Sequence, residues 1–286
     1  MKKKIWIAAL LCLCALLGFE LYRSNRILQL EFEQVQVEKL TQPLRIVHLA
    51  DLHNSEFGEN NQNLIELVSS QRPDLILFTG DLVTGWEKDT VIAMNLTEEL
   101  VKIAPVYVSI GNHEQLHENN FGSDLTGMLR YRGATVLEYA YDEVTVKEQT
   151  LRIGGISGYG VPEIYLKTGE AKIAECEFLR DFQNTDRCTL LLAHIPACWI
   201  RNNGIGYWDA DLVFSGHTHG GQFRLPLLGG IYAPDMGFFP GWMEGQYPSS
   251  DGSKTLILSR GLGNSLPVSR LNNPPQVLVV DLIPTK

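Results

Sequence analysis

The chain has 286 residues, of which 44% are hydrophobic and 20% charged, and it carries a net charge of −9. That length buries a full core as one large α/β domain or two small ones, and the composition is that of an ordinary globular protein. An acidic chain without a basic stripe argues against a nucleic-acid surface, although bound metals let such a chain hold phosphates.

Met1-Lys2-Lys3-Lys4 opens the sequence, and the stretch from Ile5 to Phe19 is uncharged and mostly apolar. Glu20 interrupts it before Leu21-Tyr22 and then Arg23 and Arg26. As a helix, Ile5 to Tyr22 would span roughly 27 Å, just short of a hydrocarbon core. Residues 1–26 are read as an uncleaved signal anchor, that is, a transmembrane helix, with a cleaved signal peptide as the rival reading. Leu16-Leu17-Gly18 makes a poor cleavage site, and no small residue precedes Cys12 as a lipoprotein signal would require. The three lysines favour a cytoplasmic N-terminus, so a single-pass protein in the cell membrane with its bulk on the extracytoplasmic side is expected. Residues 27–286 read as one domain, with no internal repeat and no boundary after residue 41.

Leu28 to Thr41 holds a connecting strand, in which Gln34-Val35-Gln36-Val37 alternates. From there strand and helix signals alternate in the βαβ manner. Strands are predicted at Leu44–Leu49, Leu75–Phe78 and Val106–Ile110, with helices at Asn63–Ser70 and about Thr90–Ile103. Shorter strands fill Ala134 to Ile156 around a turn at Tyr141-Asp142. A helix follows at Lys167–Phe182, then strands at Thr189–Ala193 and Leu212–Ser215. Gln222 to Ile283 is strand-rich and rich in Gly and Pro. Cys12 and Cys14 lie in the apolar run, while Cys176, Cys188 and Cys198 are unevenly spaced. With no C-x-x-C pattern among them, the last three are read as small buried hydrophobes.

Five polar clusters interrupt this pattern: Asp51-Leu52-His53, Gly80-Asp81, Gly111-Asn112-His113-Glu114, His194, and Gly216-His217-Thr218-His219. Most directly follow an apolar, β-prone run, so a parallel sheet would deliver them to one edge. Asp-x-His, Gly-Asp and a lone histidine are each weak signals; a single His194 more often serves structure. Gly-Asn-His-Glu and Gly-His-Thr-His are more specific, because glycine lets the backbone turn where a ligand must approach. The joint, ordered occurrence of carboxylates, an amide and imidazoles at strand ends points to a pair of divalent cations. Of the two remaining histidines, His48 reads as a core residue or one behind the ligands, and His117 as surface loop rather than cleft lining.

In these clusters the chain resembles the calcineurin-like metallophosphoesterases, whose signature runs Asp-x-His, Gly-Asp, Gly-Asn-His-Asp/Glu, His, Gly-His-x-His. The resemblance covers roughly residues 41 to 286 and implies a four-layer α/β/β/α sandwich with the site at the carboxyl ends of the strands. It implies one metal on Asp51, His53, Asp81 and His219 and a second on Asp81, Asn112, His194 and His217, with Asp81 bridging. A hydroxide between two cations roughly 3.5–4 Å apart is a nucleophile near neutral pH. By the same resemblance His113 is no ligand and faces the leaving oxygen as the catalytic proton donor. Manganese, iron or zinc suits the mixed donor set.

Serine/threonine protein phosphatases of this superfamily carry Gly-Asp-x-Val-Asp-Arg-Gly and an arginine before Gly-Asn-His-Glu. Here Thr84 and Gly85 replace the Asp-Arg pair and Ile110 the arginine. Two phosphate-gripping arginines and the aspartate partner of the catalytic histidine are therefore missing, which argues against a protein phosphatase. The chain looks closer to the membrane-anchored YkuE/YaeI-type bacterial phosphodiesterases, related to enzymes that hydrolyse UDP-2,3-diacylglucosamine. That likeness rests on Gly-His-Thr-His-Gly-Gly-Gln (216–222), Ser-Arg-Gly-Leu-Gly-Asn (259–264), Asn273-Pro274-Pro275 and the anchor.

Gln222, Arg260 and Asn264 are candidate substrate contacts, with a salt-bridged structural arginine an equal reading of Arg260. Tyr232, Phe238, Phe239, Trp242 and Met243 are read as core filling for the second sheet, or as an apolar wall beside the metals or on the bilayer. The expected activity is hydrolysis of a phosphodiester or pyrophosphate, with a lipid-linked or nucleotide-sugar-lipid substrate in view. A phosphomonoesterase and a non-catalytic envelope scaffold of the same fold stay open. No obligate protein partner is evident.

Overall fold

The computed structural model describes residues 2–157, 174–200, 204–234, 236–265 and 269–285. The N-terminal apolar run forms helix α1 (Lys2–Arg26), whose hydropathy of 2.2 and 25 residues make it long and apolar enough to cross a membrane. Its apolar side chains are exposed, and only at Ser24, in the last turn, does it become buried against the rest of the chain. There Asn25 donates to the Arg270 carbonyl at 3.0 Å and accepts the Arg270 N–H at 3.1 Å. Glu20 accepts the Asn272 N–H at 2.9 Å, and the Ser24 hydroxyl accepts that of Asn273 at 3.1 Å.

The next strands are β1 (Gln29–Val37), β2 (Leu44–Leu49), β3 (Leu75–Phe78), β4 (Val106–Ser109) and β5 (Thr135–Leu137). They form one six-stranded sheet with β16 (Gln276–Pro284), in the order β1-β16-β2-β3-β4-β5. The strands β2 to β5 run parallel. A second six-stranded sheet is built from β6 (Ala140–Val146), β7 (Gln149–Ile156), β8 (Cys188–Ala193), β9 (Leu212–Ser215), β14 (Gly245–Pro248) and β15 (Thr255–Leu258). Its order is β14-β15-β9-β8-β7-β6, with β7, β8, β9 and β15 parallel. Between the two runs lie the short pairs β10 (Arg224–Leu225) with β11 (Gly229–Gly230) and β12 (Tyr232–Ala233) with β13 (Gly237–Phe238).

Neighbouring residues of a strand point to opposite faces, and here both faces are apolar. Ile46, Leu75, Leu77, Tyr107 and Leu278 meet Ile153, Leu190, Leu192 and Phe214 between the sheets. The alternate residues Val47, Ile76, Phe78 and Val108 pack under α2 (Gln62–Ser70), α3 (Val91–Leu100) and α5 (Leu125–Tyr131) through Leu64, Val68, Leu96 and Leu129. On the far side Leu191, Val213 and Leu256 meet Phe178, Leu179 and Phe182 of helix α6 (Ala174–Phe182), together with Trp199 and Trp208. Three apolar interfaces separate four layers, helix, sheet, sheet and helix, as the sequence implies.

Three expectations change. The turn placed at Tyr141-Asp142 lies instead at Lys147-Glu148, both left-handed (φ 48° and 64°), and Tyr141 and Asp142 sit inside β6. Helices α4 (Asn112–Phe121) and α5 were not foreseen, and His117 on α4 is buried rather than in a surface loop, its Nδ1 2.7 Å from the Ser123 hydroxyl. Of the helix expected at Lys167–Phe182, the part before residue 174 lies outside the described residues, as does the Cys176 side chain.

Candidate metal centre

Every candidate ligand follows a parallel strand: Asp51 and His53 after β2, Asp81 after β3, Asn112 after β4, His194 after β8, and His217 and His219 after β9. Because the strands are parallel, their carboxyl ends share one edge of the two facing sheets, where open α/β sheets place ligands. Asp51, His53, Asp81, His217 and His219 all adopt left-handed backbone conformations (φ 47–70°), which only surrounding structure sustains in non-glycine residues. The glycines in the motifs serve close approach as much as turning. A Cβ on Gly111 would lie 2.2 Å from Asp81 Oδ1, and one on Gly216 would lie 2.5 Å from Asp51 Oδ2.

Two adjoining groups result. Asp51, His53 and His219 bring potential ligand atoms within 4.8 Å of one another, and Asp81, His194 and His217 do the same. Asp81 joins them, its Oδ2 lying 3.5 Å from His53 Nε2 and 3.1 Å from His194 Nε2. Both carboxylates are also held by main chain. Asp81 Oδ1 accepts the His113 N–H at 2.9 Å, near the N-terminus of α4, where amide dipoles favour negative charge. Asp51 accepts the His217 N–H at 3.1 Å. His194 Nδ1 donates to the Thr79 carbonyl at 2.5 Å, which leaves Nε2 directed at the carboxylates. His48, fully buried, meets the Thr79 hydroxyl at 2.9 Å, behind the ligands as expected.

Electrostatics fit a cation site. Burial pushes Asp51 up to about 6 and holds His53 down to about 3, the neutral state in which imidazole binds metal. His219 is likewise pushed well below its usual range, by burial and then by His53. Burial opposes charge on His194 and Asp81 too, yet their mutual attraction wins, raising His194 to about 10 and holding Asp81 low. The carboxylates thus draw positive charge even from a buried imidazole. Both ring nitrogens of His53, Asp81 Oδ2, Asn112 Oδ1 and His194 Nε2 are buried without a hydrogen-bond partner. Buried polar atoms rarely stay unsatisfied, and oxygen and imidazole nitrogen atoms left so at one edge suit divalent metal ions.

His113 lies beside this set, its ring 4.5 Å from that of His53 and perpendicular to it. Its Nδ1 accepts the Gly85 N–H at 3.1 Å, so the neutral ring carries its proton on Nε2. Burial lowers its pKa and favours that neutral ring. Exposed Trp86 stands edge-on to it at 6.2 Å.

Three residues have roles that no spacing in the sequence shows. Glu114, fully buried, accepts the N–H groups of Gly111, Asp81, Leu82 and Val83 and so fastens the loop after β3 to the loop after β4. Burial raises its carboxyl to about 7. Glu114→Gln would set an NH2 group against amide donors, and a loss of about 2–3 kcal/mol is expected, read as a lower Tm. An unchanged Tm would show that the staple is dispensable. Arg270, fully buried, donates to the carbonyls of Gly263 and Arg260 and lies 3.5 Å from His219 Nδ1. Burial lowers its pKa to about 9, against the attraction of Asp51. Asn273 donates to the His219 carbonyl at 2.6 Å. Nothing but contact geometry distinguishes Arg270 from any loop arginine.

Of the candidate substrate contacts, Arg260 is engaged in ion pairs, its guanidinium meeting Glu31 at 2.9 Å and also Glu244, the structural alternative for this residue. Gln222 is buried and donates to Asn264 at 2.9 Å; Ser265, next in sequence, has its hydroxyl 3.4 Å from His219 Nε2. In the aromatic segment Met243 joins a small core with Ala233 and Met236, whereas Tyr232, Phe238 and Phe239 are exposed and fill no core.

Hydrolysis of a phosphoester with divalent metal ions is the chemistry that such strand-end donors on such a sandwich define. The chain belongs to the calcineurin-like phosphoesterase family, whose profile matches residues 44–221. It is 30% identical over 248 residues to Phosphodiesterase YaeI of Escherichia coli, covering 84% of this chain and 83% of that one. An uncharacterised metallophosphoesterase of Aquifex aeolicus is 28% identical over 280 residues (94% and 97% of the two chains). One of Campylobacter jejuni is 27% identical over 278 residues (95% and 69%).

Proposed function

We propose that the chain is a membrane-anchored phosphodiesterase or pyrophosphatase, with residues 1–26 as the anchor and residues 27–286 as one extracytoplasmic catalytic domain. The observation that carries the reading is the pair of adjoining ligand groups sharing Asp81. In it, Asp51, His53, Asp81 and His219 would hold one metal and Asp81, Asn112, His194 and His217 the other. When bound, such a pair polarises a phosphoryl oxygen and brings the pKa of water near neutrality. His113 does the rest from its own side: Nδ1 is occupied by the Gly85 amide, so Nε2–H serves as the donor to the leaving oxygen.

Two features favour a diester over a monoester. The positions of the phosphatase arginines hold Gly85 and buried Ile110, so no side chain there neutralises a second phosphate charge. Trp86 flanks His113, which gives the leaving group an apolar contact suited to a lipid-linked or nucleoside moiety. The lysines at positions 2–4 support a cytoplasmic N-terminus and a catalytic domain outside.

The test is a substrate panel with the full chain loaded in turn with manganese, iron or zinc. It comprises chromogenic diester and monoester, cyclic nucleotide, glycerophosphodiester and a nucleotide-sugar lipid. The diester is expected to exceed the monoester in kcat/KM by at least about tenfold. The reverse order would make the chain a phosphomonoesterase, and full metal content without hydrolysis of any ester would make it a scaffold.

A further inference from the structure

Where α1 joins the domain, two hairpins carry apolar side chains that no described residue covers. The first, β10–β11, turns through Leu225-Pro226-Leu227-Leu228; Leu227 is wholly exposed (105%) and Leu228 is 67% exposed. Leu227 is also left-handed (φ 70°), a position that turn chemistry reserves for glycine or asparagine. Neither the turn nor water accounts for a leucine there. In the second hairpin, β12–β13, the open end rather than the turn carries the apolar surface: Phe238, opposite Tyr232, and Phe239 just beyond it are exposed by 73% and 55%. Both spring from one root, since the Ile231 N–H donates to the Phe223 carbonyl at 2.8 Å and the Phe239 N–H to that of Ile231 at 2.8 Å.

That root is tied to the anchor. The Arg224 N–H donates to the Leu271 carbonyl at 3.0 Å, and the Asn272 side chain donates to the Arg224 carbonyl at 3.2 Å. Asn272 in turn donates its N–H to Glu20 in the final turns of α1. Arg224 therefore stands two hydrogen bonds from the point where the apolar helix becomes polar. Leu227 is three residues further, a reach of at most about 11 Å. A bilayer spanned by α1 would have its headgroup zone near Glu20, the residue to which this chain of hydrogen bonds leads.

We propose that the turn of β10–β11 and the Phe238-Phe239 end of β12–β13 insert into the headgroup–acyl boundary of the membrane that α1 spans, so that the domain lies on the bilayer by two attachments. This rests on reading α1 as a transmembrane anchor. The two leucines and two phenylalanines supply the buried apolar area, and the second attachment fixes the domain's rotation about the anchor. A phosphoester carried by a lipid then presents itself to a site of fixed height and orientation.

The full chain is reconstituted at one copy per phosphatidylcholine nanodisc containing a lipid with a shallow nitroxide. An environment-sensitive fluorophore is placed at Leu227→Cys or, for reference, at Tyr131→Cys on α5, an 88% exposed site. The unsubstituted chain, labelled in parallel, provides the blank for the native cysteines. The nitroxide is expected to quench the Leu227→Cys label at least twofold and to leave Tyr131→Cys unchanged, with aqueous iodide acting in the opposite order. Equal lipid quenching at both sites overturns the proposal. Burial of the Leu227→Cys label only at two copies per disc overturns it in favour of contact between copies. Failure of the chain to co-elute with discs overturns the anchor reading and the proposal together, which separates the two failures.

Discussion

Asp81→Asn is expected to cut hydrolysis of a chromogenic diester by at least about 10³-fold and to reduce bound metal from two ions per chain to one or none. Asparagine is isosteric, and its oxygen still accepts the His113 N–H that Asp81 Oδ1 now takes at 2.9 Å. The loop after β3 therefore keeps its shape, with Glu114 still holding the Leu82 and Val83 amides. What disappears is the negative charge facing both His53 and His194. Elemental analysis after native purification, beside a Tm within a few degrees of the parent, reads the effect. Two tightly held metals in the variant would remove Asp81 from its bridging role.

His113→Ala is expected to lower kcat by about 10²–10⁴-fold while both metals stay. The signature lies in the leaving group. A nitrophenolate leaves without a proton, whereas an alkoxide needs one, so the loss is expected to be much larger for an alkyl diester. A loss equal for both leaving groups would mean that His113 shapes the pocket and donates no proton. Loss of metal would recast it as a ligand, a role for which its grouping with His53 and Asp81 leaves geometric room.

The residues that could be read from sequence are those whose chemistry has a fixed spacing. Asp51 to His219 announce themselves by strand-end position, and the strands β2, β3, β4, β8 and β9 by short, mostly apolar runs buried on both faces. Helix α4 was invisible because Asn112–Phe121 is almost wholly polar: its first turn faces the ligands, so it has no apolar stripe to show. The turn at Lys147-Glu148 was hidden because two charged residues occupy left-handed positions that glycine and asparagine usually mark. Arg270 and Asn273 were unreadable for a different reason. Their importance is a distance, to His219 across 51 and 54 residues, and no local pattern encodes it.

The union of α1 with residues 270–273 sets an order of assembly. Asn25 and Arg270 are 245 residues apart, and β1 pairs along its length with β16 across a similar gap. Closing so long a loop is entropically costly and slow, so these contacts form after the local βαβ units. The Asn273 amide that fixes the His219 main chain thus arrives among the last pieces, when the far end of the sandwich returns to the helix that began it. A chain whose C-terminal strand has not yet paired with β1 would carry six of its seven candidate ligands in preformed loops and still lack the brace for the seventh. The brace on His219 is then a property of the completed sandwich, absent from any shorter piece of the chain.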